Sequence, residues 1–123
     1  MRRMLLPIHP EHVINILSGT KKYEYRKIKS RYSDIDRIII YSTTPVRKVV
    51  GEVQVVNIIM GSPESVWEET KEYSGISKDY FDDYYSGKEF AVAYELGKVF
   101  RYKEPKDLME FGIKYPPQSM VYI

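Results

Sequence analysis

The sequence predicts an α+β protein in which a mixed, curled sheet is flanked by helices. Two observations support this fold class. Segments rich in β-branched and aromatic residues alternate with helix-like stretches in the order β-α-β-β-β-α-α-β, and a last β segment ends the chain. No strand–helix–strand unit repeats, which disfavours a parallel sheet covered by helices on both faces. The sheet is therefore expected to be mixed and to curl toward a partly closed barrel.

The N-terminal half supplies one helix and several strands. Residues 4–8 are predicted to form a strand. A helix is predicted over 10–18, because Pro10 suits a first helical turn and Gly19 provides a stop. Tyrosines that alternate with charged residues indicate a strand over 22–27. Two β-branched runs predict further strands, at 37–41 and 49–59.

The C-terminal half begins with two helices. Ser62 is expected to cap the first helix, which Gly75 ends, and Ser77 is expected to cap the second. The second helix carries an aromatic stripe at helical spacing, which we interpret as core packing: Tyr80, Phe81, Tyr84 and Tyr85. The remaining segments are a strand at 90–100, a turn or short helix at 105–111 and a last strand at 120–123.

Length and composition exclude several classes of protein. The 123 residues match the size of one domain, so we expect a single domain over 1–123. The chain has no cysteine, which excludes disulfides, thiol chemistry and cysteine-based zinc sites. His9 and His12 are its only histidines, and neither a metal nor a cofactor is expected. No stretch approaches the length of a membrane span, so we expect a soluble, cytoplasmic protein without a membrane partner.

Charge is distributed unevenly along the chain. Residues 1–48 carry 11 lysines and arginines against 4 acidic residues, whereas 49–123 carry 8 against 13. If the first half forms one surface of the molecule, that surface will attract phosphate groups. An ordinary mixed surface, in which the two halves interleave, is the alternative.

Four short motifs carry a resemblance to a known family. They are Ile-His-Pro at 8–10, Gly-x-Lys-x-x-Glu-x-Arg at 19–26, Tyr-Ser-Thr-Thr-Pro at 41–45 and Val-Gly-Glu at 50–52. The chain resembles ASCH domains, which are relatives of the PUA RNA-binding fold. The resemblance implies a PUA-like mixed β-barrel of the ASCH type with flanking helices. It also implies a cleft between the loop after the first helix and the neighbouring strand ends. Members of this family are thought to bind RNA or nucleotide-like ligands, and several are proposed to act in transcription or translation.

The second motif contains the strongest candidates for ligand binding. Lys21 offers a point charge and Arg26 a planar fork, and both suit phosphate. Glu24 lies two residues before Arg26, hence on the same side of a strand, where it could orient either cation or accept a hydrogen bond from a base. A surface ion pair is the alternative for Glu24. Further ligand contacts are assigned to polar side chains near strand ends: Ser42, Thr43, Gln118 and Ser119.

We expect this domain to bind RNA or a nucleotide in a basic cleft, and two alternatives remain open. One branch of ASCH-like proteins hydrolyses the amide of N4-acetylcytidine with a lysine, a threonine and a glutamate. An enzyme of that type would use Lys21, Glu24 and Glu52, but Glu24 stands where that branch has its threonine. The other alternative is a regulatory domain that binds a protein through the acidic helices at 63–86.

Overall fold

The computed structural model describes residues 2–123 and confirms an α+β fold. The strands are β1 (Arg2–Ile8), β2 (Tyr23–Arg26), β3 (Ile35–Ser42), β4 (Lys48–Gly61), β5 (Ala91–Lys106) and β6 (Val121–Tyr122). The helices are α1 (Pro10–Leu17), α2 (Pro63–Thr70) and α3 (Lys78–Tyr84), and 3-10 turns lie at Lys71–Tyr73 and Leu108–Phe111.

The strands form one mixed sheet in the order β2-β5-β4-β3-β1-β6. β1 and β3 are parallel, whereas the other neighbouring pairs are antiparallel. The sheet curls into a half-barrel, as expected. β1 and β3 lie side by side although α1 and β2 separate them in sequence. This crossover brings the end of β1 and the start of α1 close to β2.

The hydrophobic core lies on both faces of this sheet, because alternate residues of each strand point to opposite sides. On β3, Ile38 and Ile40 join an inner cluster with Val13 and Ile16 of α1. Ile39 belongs to an outer cluster that residues 102–113 cover. A third cluster lies beneath α2 and α3, and its buried members are Tyr25, Val66, Phe81, Tyr85, Ala91 and Ala93.

Two strands are longer than the sequence pattern predicts. β4 has 14 residues and β5 has 16, so β5 extends through Pro105 into the segment predicted as a turn. The two strands support each other, since their pairing runs from Val49↔Lys106 to Gly61↔Ala91. β2 pairs with β5 only over residues 92–95, which leaves the far end of β5 as a sheet edge. A proline is tolerated at such an edge because its missing N–H is not needed there.

Candidate functional site

A cleft of about 390 Å³ opens where α1, β2, α3 and the C-terminal segment meet. Most of the side chains that line it are polar or aromatic. They are His9, His12, Lys21, Glu24, Tyr25, Arg26, Thr43, Tyr80, Tyr84 and Gln118, with Pro7, Ile8, Ile76 and Pro117.

The turn after α1 delivers Lys21 to this cleft. The backbone amides of Thr20 and Lys21 both donate to the carbonyl oxygen of Asn15, at 3.0 Å. Gly19 precedes them with a φ of 85°, in the left-handed region that favours glycine. The chain then enters β2, where Glu24 and Arg26 share one side and face the cleft.

Lys21 is held in a desolvated position. Only 3% of the residue is exposed, and its Nζ donates to the carbonyl oxygen of Ser74 at 2.8 Å. Nζ also lies 4.8 Å from the centre of the Tyr25 ring. Burial lowers the pKa of Lys21, and the negative charge of Glu24 partly opposes this shift. Gly75 packs against the lysine so closely that a Cβ there would lie 2.4 Å from the Lys21 Cβ.

Arg26 connects three segments of the chain around the cleft. Its guanidinium donates to the carbonyl oxygens of Pro7 at 3.3 Å and of Ser119 at 3.4 Å. It also donates to a carboxylate oxygen of Glu24 at 3.4 Å. Since both side chains are largely buried, this ion pair is shielded from solvent more than a surface pair would be. Glu24 and Arg26 thus form one side of the cleft together.

The opposite side of the cleft contains residues that the sequence did not single out for binding. His12 Nε2 and the Tyr80 hydroxyl are 3.0 Å apart, and their rings meet edge to face. Burial lowers the pKa of His12, and the charge of Lys21 lowers it further. Within the aromatic stripe, Phe81 and Tyr85 are buried in the core, as expected, whereas Tyr80 is 39% exposed and Tyr84 lines the cleft. Tyr80 and Tyr84 are four residues apart and therefore neighbours on one side of α3, and this spacing was the sequence signal that could have identified them as a pair.

The remaining residues singled out from the sequence divide into two groups. Thr43 and Gln118 line the cleft. Ser42 does not line it, because its side chain is buried with 2% exposure, and Ser119 contacts the cleft residues through its carbonyl oxygen. Glu52 lies on the outer face of the sheet, where it accepts hydrogen bonds from Arg37 at 2.6 Å and from Tyr102 at 2.7 Å.

The cleft combines two cations, a carboxylate, two histidines and three tyrosines. Such a set can hold an anionic group at Lys21 and Arg26 and can transfer a proton through His12. No group of three or more potential metal ligands occurs among residues 2–123. Over the same residues, none of the helices has the length and apolar character needed to span a bilayer.

Comparison with known proteins identifies several relatives. The chain is 28% identical over 125 residues to an "ASCH domain-containing ribonuclease" of Zymomonas mobilis, with 99% of this chain and 84% of that protein covered. It is also 37% identical over 87 residues to the large ribosomal subunit protein uL22 of Ureaplasma parvum. That match covers 71% of this chain but only 28% of uL22. A third match is to ATP synthase subunit alpha of the same organism, with 30% identity over 98% of this chain and 15% of the relative.

Solved structures agree with the fold. The crystal structure of a mutant of ZmASCH from Zymomonas mobilis superposes with a TM-score of 0.90 at 26% identity, covering 100% of this chain and 91% of that one. An Enterococcus faecalis protein shares the fold alone, with a TM-score of 0.60 at 12% identity over 87% of this chain and 77% of that one. The model of the ASCH domain family matches residues 6–105. That match includes the first helix, the Gly-x-Lys-x-x-Glu-x-Arg motif and most of the sheet, and this chain therefore belongs to the ASCH domain family.

Proposed function

We propose that this domain binds single-stranded RNA and holds one nucleotide in the cleft. The observation that carries the proposal is the convergence of Lys21, Glu24 and Arg26 on one concave site of about 390 Å³. The Zymomonas relative, which covers nearly all of this chain, has the name ribonuclease, so RNA is the ligand class that the comparisons support best. Single strands are favoured because unstacked bases can enter a cleft of this size, whereas paired bases cannot.

Each part of the nucleotide has suitable partners in the cleft. Lys21 uses one of its three N–H donors on Ser74, and the others are directed to a phosphate oxygen in the complex. Arg26 provides the second cationic contact. Glu24 accepts from an amino group of the base, and Gln118 at the rim contacts another polar edge. Tyr80 and Tyr84 offer aromatic faces to the base or ribose.

Lys21→Met is the sharpest test, because methionine keeps an unbranched apolar side chain beside Gly75 and removes the charge. A hydrogen bond to a charged group contributes about 1.5–3 kcal/mol, so affinity for a fluorescent RNA hexanucleotide should fall by about tenfold or more. The neighbouring Lys22→Met is the matched control, since Lys22 is exposed and does not line the cleft. Binding is followed by fluorescence anisotropy, and circular dichroism verifies that both variants fold. Equal affinity of folded Lys21→Met and wild-type protein would move the site elsewhere.

Cleavage of the bound RNA is a second candidate function. This function is favoured by the position of His12 beside Lys21. The pKa of His12 is lowered there, which favours the neutral imidazole that can accept a proton. In this reaction His12 accepts the proton of a ribose 2′-hydroxyl, whose oxygen attacks the adjacent phosphorus. The 5′-oxygen of the next nucleotide leaves with a proton from water, and a 2′,3′-cyclic phosphate remains. Lys21 and Arg26 stabilise the added negative charge on the phosphate oxygens.

Hydrolysis of N4-acetylcytidine has less support. Glu24 occupies the position of the nucleophilic threonine expected from the resemblance. The hydroxyl of Thr20 donates to Asn15, and Ser42 is buried away from the cleft. Glu52 is on the outer face of the sheet. A protein-binding role for the acidic residues of α2 and α3 has no such convergence of side chains in its favour.

A further inference from the structure

A second cavity of about 400 Å³ lies at the open seam of the half-barrel. One wall is the far end of β4, where pairing with β3 stops at Gln54 and the next residues pair only with β5. The other wall is the segment that connects β2 to β3. Val56, Ile58 and Met60 supply apolar surface, and Val56 is 52% exposed. An apolar slot of this volume accommodates a nucleobase-sized group.

One buried polar group of this cavity lacks a partner within the described part of the protein. Tyr94 forms part of its floor, and its hydroxyl is the one buried side-chain polar atom without a hydrogen-bond partner among residues 2–123. Burial raises the pKa of Tyr94; the backbone amide of Ser30 partly offsets this, although the two groups do not reach hydrogen-bonding geometry. An unpaired buried hydroxyl destabilises the folded protein, and a ligand with a polar edge would relieve that cost. Ser33 and Asn57 add further polar groups to the walls.

A basic segment connects this second cavity to the cleft. Lys27, Lys29 and Arg31 alternate along it, all three are exposed, and none forms an ion pair within the described part of the chain. Lys27 Nζ lies 4.5 Å from the ring centre of Tyr84, a cleft residue, whereas Lys29 lines the second cavity. Unpaired, regularly spaced cations along a connecting path favour a polyanion as the ligand.

We propose that the second cavity is a subsite for another base of the same RNA strand, with Lys27, Lys29 and Arg31 contacting the phosphates between the two sites. This proposal rests on the proposed binding of RNA in the cleft. Lys29 lies three positions after Arg26, a distance of at most about 10 Å along an extended chain. A strand of a few nucleotides therefore reaches both sites. The base enters between β4 and the basic segment, with one face against Val56 and Ile58 and a polar edge toward Tyr94.

The test compares cytidine monophosphate with a single-stranded RNA hexanucleotide. Two variants address the subsite. The double variant Lys29→Met with Arg31→Met removes two phosphate contacts, so the slope of log affinity against log salt should decrease by about 1.4 for the hexanucleotide. Tyr94→Phe removes a hydroxyl that has no partner in the free protein and whose burial is unfavourable, so its melting temperature should rise above that of the wild type. Its hexanucleotide affinity should fall about threefold, the effect of one hydrogen bond. Lys103→Met, at an exposed lysine that lines neither cavity, is the matched control for the loss of charge.

The outcomes separate this subsite from the cleft. The subsite is supported if both variants weaken binding of the hexanucleotide and leave that of the mononucleotide unchanged. If the variants lose the same factor of affinity for the mononucleotide and for the hexanucleotide, the basic segment acts through the cleft. That result would overturn the subsite and leave the proposed function intact. Hexanucleotide binding that neither variant changes would also overturn it. Failure of wild-type protein to bind either probe would refute the proposed function and the subsite together.

Discussion

At the scale of single residues, the central feature is a lysine that the fold removes from water. A lysine in such a position loses hydration, and its interaction with a phosphate is stronger than it would be on the surface. Glu24 limits the cost by keeping an opposite charge in the same cleft. Because Gly75 leaves no room for a side chain next to Lys21, the position of the ammonium group is restricted by packing as well as by its bond to Ser74. The free protein thus holds this cation in place before any ligand arrives.

If the domain cleaves RNA, His12 determines its pH dependence. The pKa of His12 lies below its ordinary value of 6.5, so the proton-accepting form already predominates near pH 6.5 and is lost only under more acidic conditions. Cleavage should therefore rise as pH increases through the lowered pKa and level off before neutrality. His12→Gln removes the base, and the rate should fall by about 10²–10⁴-fold while RNA still binds.

The measurement is cleavage of 5′-labelled single-stranded RNA between pH 4.5 and 7.5, resolved on denaturing gels. Lys103→Met is the control, because Lys103 is exposed and lines neither cavity. A His12→Gln variant that cleaves at the wild-type rate would exclude His12 as the base. Absence of cleavage by the wild-type protein would leave RNA binding as the function.

At the scale of elements, α3 serves the core and the cleft at once. Phe81 packs against Trp67, with ring centres 4.8 Å apart, and against Tyr25 at 5.2 Å. The same helix presents Tyr80 and Tyr84 to the cleft. The position of these two phenols therefore depends on how α3 begins and on how Phe81 is packed. This dependence explains why the sequence alone did not identify them, since their place in the cleft and the approach of Tyr80 to His12 follow from contacts between segments that are far apart in the chain.

Removing the cap of α3 should affect stability and binding together. The Ser77 hydroxyl accepts a hydrogen bond from the Tyr80 amide at 3.0 Å, and its loss in Ser77→Ala should cost about 1 kcal/mol of unfolding free energy. RNA affinity should fall as well, because the start of α3 positions Tyr80 against His12. Ser62→Ala is a matched control, since Ser62 caps α2 through the Ser65 amide and lines neither cavity.

Urea denaturation and anisotropy titration measure the two effects. A similar loss of stability in both variants, with weaker RNA binding only in Ser77→Ala, is the expected result. Equal RNA affinities in the two variants would show that Tyr80 does not contribute to binding.

At the scale of the whole molecule, the sequence predicted those features that follow from local periodicity. The order of elements and the shared side of Glu24 and Arg26 came from spacing alone. The register between strands could not be predicted from spacing. Pairing shifts by one residue between Ile40 and Tyr41, and such bulges change which face of the sheet a side chain occupies. Ser42 was assigned to the cleft from its place at a strand end, and Glu52 only for the hydrolase alternative, whereas Ser42 is buried and Glu52 is on the outer face.

The core clusters are built on the same strands, and we therefore expect the chain to unfold as a single domain. Ile38 and Ile40 pack on the inner face of β3 and Ile39 on the outer face, so neither cluster can lose its packing while the strand stays in place for the other. Ile39→Val should lower the unfolding free energy by about 1 kcal/mol and the melting temperature by about 4 °C. Trp67, the only tryptophan, lies in the third cluster beneath α2, and its fluorescence reports that region.

Far-ultraviolet circular dichroism follows the sheet and Trp67 fluorescence follows the α2 region during the same thermal or urea transition. For a single cooperative unit, the two curves coincide in the wild-type protein. In Ile39→Val both curves move by the same amount, although residue 39 and Trp67 belong to different clusters. The substitution suits this test because the loss of a single methylene weakens the outer cluster and leaves the fold intact. A fluorescence transition that stays in place while the dichroism transition shifts would mean that the α2–α3 region unfolds separately from the sheet.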